Sequence, residues 1–509
     1  MPILNKKQIA SKARQVADRD NIYSPNPKFF RYPDRIIQFG SGALLRGLID
    51  YFVDAANHQK LFRGRVVIVN NTQSGRSQRF TNQDGLFTIC EEGYSEGKTQ
   101  QKFYINSSVS TALPAINHWQ KILECAHNEA ITTVVSNTTE IGITLQEDDD
   151  LLGNPPQSFP GKLTAFLYER YRAFGGLPKS GMLIIPTELL TDNGSKLMAI
   201  VLKLIELNQL EDEFRQWVKQ SCLFCNTLVD RIIPGEPSEA KQLELEEYLG
   251  FQDELLTVSE IYRFLAIEGE PEAIYRRAPF LKVDSGIVID EDITPYRERK
   301  LRILNGGHTI SVAAGFLCGL ETVGDCMQDD VMGKFISQVI YEEILPTLEI
   351  DRNMAQEFAD DVLDRFRNPY LHHQLISITL QYTSKMNMRN GLTFERYFQK
   401  NKQVPHRMCA GLAAYLLFSK PVSREDGSYY GEFKGKKYLI KDDQATFLYE
   451  AWQGVDLTNK EDMKGVVQKV FTHQPFWDQD MTPFIEQTSL YLREFNEVGV
   501  RKTLATIVD

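Results

Sequence analysis

Arg35-Ile-Ile-Gln-Phe39, Gly40-Ser-Gly42-Ala-Leu-Leu-Arg46-Gly47 and the apolar run Leu48–Ala56 follow one another without interruption. The first segment is typical of a short buried strand, the second of a glycine turn and the third of a helix. Together they form the phosphate-binding unit of a dinucleotide fold, in which the first glycine permits the tight turn and the second lets the backbone approach a pyrophosphate. We therefore predict a Rossmann-type domain with Gly40 and Gly42 at its nucleotide site.

The glycine turn departs from the usual spacing, because it reads G-x-G-x-x-x-x-G and not G-x-G-x-x-G. The pattern does not by itself establish a nucleotide site. Arg46 lies inside this stretch and offers a cation to the phosphates. The alternative interpretation of Arg46 is an arginine on the surface of the helix.

The second predicted strand, Arg65–Asn70, follows about one helix later. In NAD-dependent enzymes an acidic residue near the end of this strand binds the ribose hydroxyls. Here residues 70–73 are Asn-Asn-Thr-Gln, and Arg76, which would suit the 2′-phosphate of NADP, comes soon after. The residues themselves leave the choice between NAD and NADP open.

Polar residues follow two further predicted strands, Thr132–Ser136 and Met182–Pro186. The carboxyl ends of parallel strands face the ligand crevice of an open sheet, so the residues at these ends are site candidates. They are Asn137, Thr138 and Glu140 after the first strand and Glu188 after the second, with Asn193 a few residues on. A helix is expected from about Lys162 to Phe174, a further polar cluster at Asn226–Arg231 and a last strand at Val283–Ile289.

Composition places the chain among globular enzymes. Its 509 residues suffice for two or three domains, and a net charge of −11 without any basic run argues against nucleic-acid binding. No apolar segment has the length of a membrane span, and the N-terminal residues lack the apolar core of a signal peptide. Seven scattered cysteines, an odd number, favour a reduced cytoplasmic protein over a disulfide framework.

The pattern changes beyond Pro295, where segments with a 3.6-residue period dominate. We expect a lead-in segment over residues 1–33, an α/β Rossmann-type domain over 34–290 and a mainly α-helical domain over 291–509. Helices are predicted at Val331–Leu345, Met354–Phe366, Met408–Phe418, Asp443–Gln453 and Lys460–Phe471. A last helix is expected to have Thr482 at its cap, Pro483 at its first position and Gly499 past its end.

Thr294–Thr309, at the expected domain junction, carries Lys300, Asn305 and His308. A lysine exchanges a proton near neutral pH when burial or a nearby cation lowers its pKa. Amide and imidazole groups donate hydrogen bonds to an oxygen that gains negative charge. These are the groups needed to interconvert a carbonyl and an alcohol. The alternative is a basic first turn that leads into a buried helix, because residues 310–317 are apolar and small.

Several motifs occur together in a fixed order. They are Gly40-x-Gly42-x-x-x-Arg46, Gln83-Asp-Gly-Leu86, Ser136-Asn-Thr-Thr-Glu140, Asn226-Thr-Leu-Val-Asp230-Arg231 and Lys300-x₄-Asn305-x₂-His308. In this arrangement the chain resembles the mannitol dehydrogenase family of polyol-specific long-chain dehydrogenases, from about residue 34 to residue 495. Within the family, Ile184-Ile-Pro-x-Glu188-Leu189 and Arg365-Phe-Arg-Asn-Pro-Tyr370 are nearest to members that reduce keto-hexuronates.

The resemblance implies a metal-free enzyme that uses a nicotinamide coenzyme, with NAD favoured and NADP not excluded. It implies that Lys300 is the general acid/base, that Asn305 and His308 form an oxyanion hole, and that Lys385 contacts the substrate. The expected coenzyme-binding residues are Gly40, Gly42, Arg46, Asn137, Thr138 and Glu140. The other expected substrate-binding residues are Glu188, Asn193, Asp230, Arg367 and His373.

Two departures from the polyol-specific members concern substrate contacts. Glu188-Leu189 stands where those members have Asp-Asn, and Ser377 stands where they have an arginine eight residues before the Lys385 position. These departures put a polyol substrate in doubt, and the resemblance implies a keto-hexuronate, tagaturonate, reduced reversibly to altronate. Fructuronate or a neutral polyol such as mannitol are the alternatives.

A hexuronate carries a carboxylate whose burial needs a cation or several hydrogen-bond donors. Candidates within a stretch of 23 residues are Arg367, His372, His373, Lys385 and Arg389, some of which are expected on the surface. Two other functions compete: a nucleotide-binding sensor without turnover, and a metalloenzyme built on His372 and His373. Adjacent histidines point to different faces of a helix, which disfavours the metal site. The oligomeric state is left open.

Overall fold

The computed structural model describes residues 1–10, 20–70, 76–95, 97–139, 141–473 and 480–509. The chain divides into two compact units. Unit 1 comprises Met1–Glu92 and Lys98–Ile293, and unit 2 comprises Gly93–Gly97 and Thr294–Asp509. Within the described ranges, every helix is too short or too polar to cross a bilayer.

Unit 1 is an α/β unit. Its strands are Ile22–Tyr23 (β1), Asp34–Phe39 (β2), Arg65–Asn70 (β3), Phe87–Ser95 (β4), Lys98–Asn106 (β5), Val109–Pro114 (β6), Thr133–Ser136 (β7), Leu183–Pro186 (β8), Leu223–Phe224 (β9), Thr227–Asp230 (β10), Thr257–Ser259 (β11), Phe264–Glu268 (β12) and Ile287–Asp290 (β13). Its α-helices are Ala43–Gly47 (α1), Ile49–His58 (α2), Arg76–Asn82 (α3), Ala115–Cys125 (α4), Phe159–Ala173 (α5), Asn193–Leu207 (α6), Asp212–Ser221 (α7), Glu239–Leu249 (α8) and Pro271–Arg277 (α9).

The main sheet of unit 1 has six strands in the order β6-β3-β2-β7-β8-β9. Every pair in it is parallel. With β2 counted as the first strand, this is the 3-2-1-4-5-6 order of a Rossmann fold. The direction of winding reverses between β2 and β7, so the ligand crevice of such a sheet is expected at the carboxyl ends of these two strands. The predicted fold class is confirmed.

The sheet is covered on both faces, because consecutive apolar residues in the middle of its strands point to opposite sides. In β2, Ile36 contributes to one hydrophobic cluster, while Ile37 and Phe39 contribute to another. In β3, Val66 and Val67 separate in the same way. Successive side chains point to opposite faces of a strand, so an uninterrupted apolar run is what a sheet with two covered faces requires.

Two smaller sheets complete unit 1, in the orders β1-β5-β4-β11 and β10-β12-β13. Sequence analysis predicted neither of them as sheets. Residues of the expected lead-in segment belong to this unit, because Leu4 is buried in its core and β1 pairs with β5. The predicted last strand is shorter than expected and begins at Ile287, since Val283 closes a 3₁₀ turn over Pro279–Lys282.

Unit 2 is mainly helical. Its α-helices are Thr294–Arg299 (α10), Gly307–Leu317 (α11), Val323–Gln328 (α12), Asp330–Gln338 (α13), Arg352–Phe366 (α14), Leu375–Ile378 (α15), Tyr382–Asn401 (α16), His406–Phe418 (α17), Ala445–Ala451 (α18), Lys460–His473 (α19), Thr482–Glu497 (α20) and Val500–Val508 (α21). A small antiparallel sheet, not predicted, consists of Ser423–Glu425 (β14), Ser428–Phe433 (β15) and Lys436–Ile440 (β16).

Two segments of unit 2 are π-helices, Lys300–Gly306 and Val339–Ile344. The second of these replaces the end of the helix that was predicted to run from Val331 to Leu345. The prediction of Thr482 as a helix cap is also wrong, because Met481 holds that position. The reason is local: the Asp480 carboxylate accepts the Thr482 backbone N–H at 2.9 Å, and the helix begins at Thr482 itself.

Candidate active site

Gly40 and Asn137 meet at the point where the winding of the main sheet reverses. Gly40 directly follows β2 and has φ of +117°, a conformation that only glycine adopts without strain. A Cβ at this position would lie 2.7 Å from the Asn137 backbone oxygen. Asn137 follows β7, and its side-chain amide donates to the Thr187 carbonyl at 2.8 Å. The predicted coenzyme-binding turn and strand end are therefore in direct contact.

Gly42 has a different environment from Gly40. It caps α1 with φ of −65°, and a Cβ built on it would meet no atom of the described residues within 4 Å. The packing of unit 1 therefore does not require a glycine at this position, whereas an approaching pyrophosphate would. This open space beside a helix start fits a dinucleotide, as the sequence predicts.

Arg46 lies inside unit 1 and not on its surface. Its side chain is 2% exposed, donates to Thr257 Oγ1 at 3.0 Å, and donates to the Ser41 carbonyl at 2.6 Å. Burial, with a smaller contribution from nearby Arg76, lowers its pKa to about 10, so it stays charged at neutral pH. The interpretation of Arg46 as a surface residue is wrong, because α1 starts earlier than predicted and packs against β11.

Glu188, which follows β8, supports the end of the neighbouring strand β7. Its carboxylate accepts the Thr138 backbone N–H at 2.9 Å, the Thr138 hydroxyl at 3.1 Å and the Ser136 hydroxyl at 3.2 Å. Burial raises the pKa of the Glu188 carboxyl, although these hydrogen bonds favour its charged form. In this structure Glu188 therefore positions the predicted coenzyme-binding residue Thr138. Glu140 lies outside the described residues.

Asn193 and Asp230, two predicted substrate contacts, are buried in unit 1. Asn193 is fully buried; its amide nitrogen contacts the Pro186 and Glu188 carbonyls, and its oxygen accepts from Thr227. A substrate contact by Asn193 would need this packing to open, because no side-chain atom is accessible. Asp230 is 6% exposed at the end of β10.

A carboxylate near the end of β3 was not found by sequence analysis. Glu236 lies 4.0 Å from Arg76 and 3.0 Å from Arg79, both on α3. It comes from a segment more than 150 residues away, so no local pattern could indicate it. Residues 71–73, which were expected near the ribose, lie outside the described part of the chain.

Lys300, Asn305 and His308 lie along one continuous helical segment of unit 2. Lys300 begins the π-helix, Asn305 is near its end, and His308 is the second residue of α11. In an α-helix residues five apart point about 140° away from each other. In a π-helix the backbone hydrogen bonds run from i to i+5, so residues five apart lie roughly one turn above each other. The wide turn therefore brings Lys300 and Asn305 to one side, and His308 follows at a spacing of three.

His308 is held between two rings of unit 2. Its imidazole lies 4.0 Å from the Phe366 ring and 5.2 Å from the His373 ring, measured between centroids. Burial lowers the pKa of His308 well below its usual value, and His373, Arg365 and Arg389 act in the same direction. His308 is therefore neutral at pH 7 and keeps one ring N–H as a hydrogen-bond donor.

Lys385 and Arg389 lie one turn apart on α16. The Lys385 ammonium donates to the Ile378 carbonyl at 3.2 Å, and Arg389 Nη1 donates to Thr309 Oγ1 at 3.0 Å. Burial lowers the pKa of Lys385, and the charge of Arg389 lowers it further. Lys385 and Arg389, together with Lys300, Asn305, His308, Arg365 and His373, are called the cationic cluster below. Sequence analysis missed Arg365, which is 7% exposed and whose charge acts on His308.

Arg367 does not share this environment. It is exposed and pairs with Asp364 at 3.2 Å on the same helical turn, and its contact with the substrate stays a prediction. His372 is exposed, while His373 is half-buried against His308. Among the described residues no group of three or more His, Cys, Asp or Glu side chains has a metal-binding arrangement.

Two family models match the chain. The mannitol dehydrogenase Rossmann domain matches residues 34–276, and the mannitol dehydrogenase C-terminal domain matches residues 292–474. A protein of Bacillus subtilis named altronate oxidoreductase is 37% identical over 489 residues, which cover 95% of this chain and 96% of the relative. A protein of the same name from Shigella flexneri is 35% identical over 481 residues, 93% of this chain and 97% of the relative.

Solved structures support the same fold. A D-sorbitol dehydrogenase in substrate-free form matches with a TM-score of 0.79 at 22% identity and covers 99% of this chain and 100% of its own. The Pseudomonas fluorescens mannitol 2-dehydrogenase, in a ternary complex with NAD and D-mannitol, matches with a TM-score of 0.67 at 22% identity and covers 99% of each chain. The order of the parallel strands, the matched domains and the identity to the curated relatives agree: this chain belongs to the mannitol dehydrogenase family.

Proposed function

We propose that this chain catalyses the NAD-dependent reduction of tagaturonate to altronate and the reverse oxidation. Family membership makes the chain an oxidoreductase that acts on CH–OH groups. The observation that carries the finer proposal is the arrangement of Lys300, Asn305 and His308 beside further cations, in a chain that is 37% identical to a protein named altronate oxidoreductase. A basic site of this kind suits a sugar that bears a carboxylate.

The coenzyme would be held by residues of the β2–β7 edge. Gly40 permits the tight turn against Asn137, and Gly42 leaves room for the pyrophosphate. Arg46 adds a buried positive charge behind the turn, and Asn137 and Thr138 present polar groups at the end of β7. When bound, the nicotinamide supplies or accepts the hydride. NAD is favoured over NADP because a solved relative binds NAD and because Glu236 would repel a 2′-phosphate near Arg76.

Lys300 is the proposed acid and base. In the reduction it gives a proton to the substrate oxygen as the carbonyl carbon receives the hydride, and in the oxidation it removes that proton. Asn305 donates a hydrogen bond from its amide to the same oxygen, whose negative charge grows as the carbon is reduced.

His308 donates a second hydrogen bond to this oxygen from its neutral ring. A neutral imidazole does not compete with Lys300 as a proton source, so the two groups have separate roles. The ring of Phe366 packs against His308 and holds it in place. The lysine therefore moves the proton, while the histidine and the asparagine stabilise the charge.

The test is a side-by-side assay of tagaturonate, fructuronate and fructose with NADH. Turnover is measured as the loss of NADH absorbance. Tagaturonate is expected to give the highest kcat/KM. A site built around a charged group leaves that group unpaired with a neutral analogue, so fructose should be the poorest of the three.

Each of the other outcomes of this assay would reject one part of the proposal. A higher kcat/KM with fructose would reject the hexuronate assignment. A preference for fructuronate would keep the carboxylate argument and reject the named sugar. Absence of turnover with all three, in protein that binds NADH, would favour a nucleotide-binding sensor.

A further inference from the structure

Arg389 carries a guanidinium edge without a hydrogen-bond partner. Its Nη1 atom is engaged by Thr309 Oγ1 at 3.0 Å. Its Nε atom is buried and has no hydrogen-bond partner within the described residues, and its Nη2 atom makes no hydrogen bond there either. Buried donors are almost always paired in folded proteins, so an unpaired donor beside a candidate site needs an explanation.

The unpaired edge has the geometry that a carboxylate requires. The Nε–H and the adjacent Nη2–H of a guanidinium lie parallel and match the two oxygens of a carboxylate. The Thr309 contact uses Nη1, on the other side of the group, and leaves this edge unoccupied. A lysine ammonium cannot make such a two-point contact, since it is a single centre of charge.

The helical segment that carries the proposed catalytic residues contacts both the backbone and the guanidinium group of Arg389. Arg302, in the π-helix, donates to the backbone carbonyls of Met388 and Arg389 at 2.9 Å each. Thr309, which holds the guanidinium, directly follows His308. The position of Arg389 relative to His308 is therefore fixed before any substrate binds, and such fixed positions are typical of binding residues.

Three of the other carboxylate partners that the sequence suggests fit a carboxylate less well. Arg367 is exposed and already paired with Asp364. Burial lowers the pKa of His373, so its ring is neutral at pH 7. Lys385 donates to the Ile378 carbonyl and lacks the fork geometry.

We propose that the Nε–Nη2 edge of Arg389 binds the carboxylate of the sugar acid and selects charged over neutral sugars. The proposal rests on the function proposed above. Lys385 is then left for the hydroxyl groups of the sugar. In this chain the proposed selecting arginine, Arg389, lies one turn after Lys385. The position eight residues before Lys385, which is expected to be an arginine in the polyol-specific members, is Ser377.

The experiment replaces Arg389 with methionine, which keeps much of the side-chain volume and removes the charge. The kcat/KM of the intact enzyme is measured for tagaturonate and for fructose, from initial rates at substrate concentrations below saturation. Arg389→Met should lower kcat/KM for tagaturonate about 30-fold or more, mainly through KM, because a buried charged partner is lost. The value for fructose should change less than about threefold, and the KM for NADH should stay unchanged.

Three further variants separate recognition from structure. Arg389→Lys keeps the charge without the fork and should recover only part of the tagaturonate activity. Thr309→Val removes the acceptor of Nη1 but keeps the guanidinium, so it should lower the ratio of tagaturonate to fructose activity less than Arg389→Met does. Arg493→Met removes another unit 2 arginine, on α20 outside the cluster, whose buried Nε makes no hydrogen bond and lies 3.9 Å from Glu497 Oε1, and it should leave that ratio unchanged.

The outcomes distinguish this inference from the function on which it rests. An equal fall for both substrates in Arg389→Met, or the same change of ratio in Arg493→Met, would overturn the role of Arg389 as the selector. Wild-type enzyme that prefers tagaturonate, together with an Arg389→Met variant that keeps the preference, would reject the inference alone. Wild-type enzyme that prefers fructose would reject the proposed function itself.

Discussion

The nucleotide-binding edge of unit 1 and the cationic cluster of unit 2 are built from different parts of the polypeptide. At the edge, backbone atoms and the absence of side chains matter most: Gly40 lies against a carbonyl, and the space beside Gly42 is open. In the cluster, long titratable side chains on helices carry the proposed chemistry, with Lys300, His308 and Arg389 as examples. We therefore expect the nucleotide-binding edge to be sensitive to substitutions that add atoms. We expect the cationic cluster to be sensitive to substitutions that remove charged or polar groups.

The largest effect is expected from Lys300→Ala. Removing the proposed acid and base should lower kcat by about 1,000-fold, within the usual range for a general acid–base residue. The affinity for NADH should stay the same, because the change does not alter the glycine turn of unit 1. Stopped-flow or steady-state kinetics measure kcat, and fluorescence titration with NADH measures the affinity.

Lys334→Ala serves as the matched control for this variant. Lys334 is 60% exposed and pairs with Asp509, so its removal should change neither quantity. Turnover of Lys300→Ala within about twofold of the wild type would exclude the lysine from the mechanism.

The second prediction compares Gly40→Ala with Gly42→Ala. The first substitution forces a Cβ against the Asn137 carbonyl at positive φ and should destabilise the protein by about 1–3 kcal/mol. The second meets no protein atom, so the melting temperature should not change. Both should weaken NADH binding at least about tenfold, since the methyl group of Gly42→Ala occupies the expected space of the pyrophosphate.

Thermal unfolding and NADH titration of the two variants test this distinction. If Gly42→Ala binds NADH as tightly as the wild type, the open space beside α1 is not part of the nucleotide site. If Gly40→Ala is as stable as the wild type, the close approach to Asn137 is not a constraint on the fold.

The third prediction concerns the pH dependence of stability. The pKa of His308 in the folded state lies well below its unfolded value of about 6.5. The unfolded chain therefore binds more protons at mildly acidic pH, so this stability is present above pH 6.5 and is lost as pH falls below it. The loss of unfolding free energy from this residue approaches about 1.4 kcal/mol per pH unit at most.

His308→Gln should reduce the dependence of the melting temperature on pH between 7 and 5. His118→Gln, at an exposed position of unit 1, is the control and should leave the dependence unchanged. An identical pH profile for His308→Gln and the wild type would contradict the burial of a neutral ring at this position.

The smallest effect is expected from Glu236→Gln. Removing this exposed carboxylate frees Arg76 and Arg79 of their partner and should raise kcat/KM for NADPH about threefold, the size typical of an exposed ion pair. The value for NADH should hardly change. Glu129→Gln is the control, because it removes a different exposed carboxylate, which pairs with Lys179. An unchanged ratio of NADPH to NADH activity would exclude Glu236 from coenzyme selection.

Sequence analysis predicted the parts of the fold that have a local pattern. The strands β2, β3, β7 and β8 are apolar runs between turn residues, and the helix Arg352–Phe366 has a clear apolar face, so all of them lie where expected. The helix that carries Lys385, Tyr382–Asn401, was not predicted because polar and aromatic residues obscure its period. The hairpin of β4 and β5 was missed for a related reason: β5 begins with charged and amide residues.

The candidate site was predicted where a motif names its residues and missed where distant segments meet. Glycines 40 and 42 and the spacing of Lys300, Asn305 and His308 were visible in the sequence. The support of Thr138 by Glu188, the charge of Arg365 near His308 and the pairing of Glu236 with Arg76 depend on tertiary contacts. No short window of sequence contains both partners of such contacts, so only the folded chain reveals them.

The π-helix at Lys300–Gly306 has a consequence for the length of this segment. A π turn is equivalent to an α-helix with one additional residue, and helices continue on both sides of it. Deletion of a single residue, such as Leu301, would let the segment close into a regular α-helix with its backbone pairing intact. The lysine, asparagine and histidine would then stand at spacings of four and three, which share one face of an α-helix. The chain as it stands has one residue more, and the wide turn absorbs this residue without turning the lysine away from the other two groups.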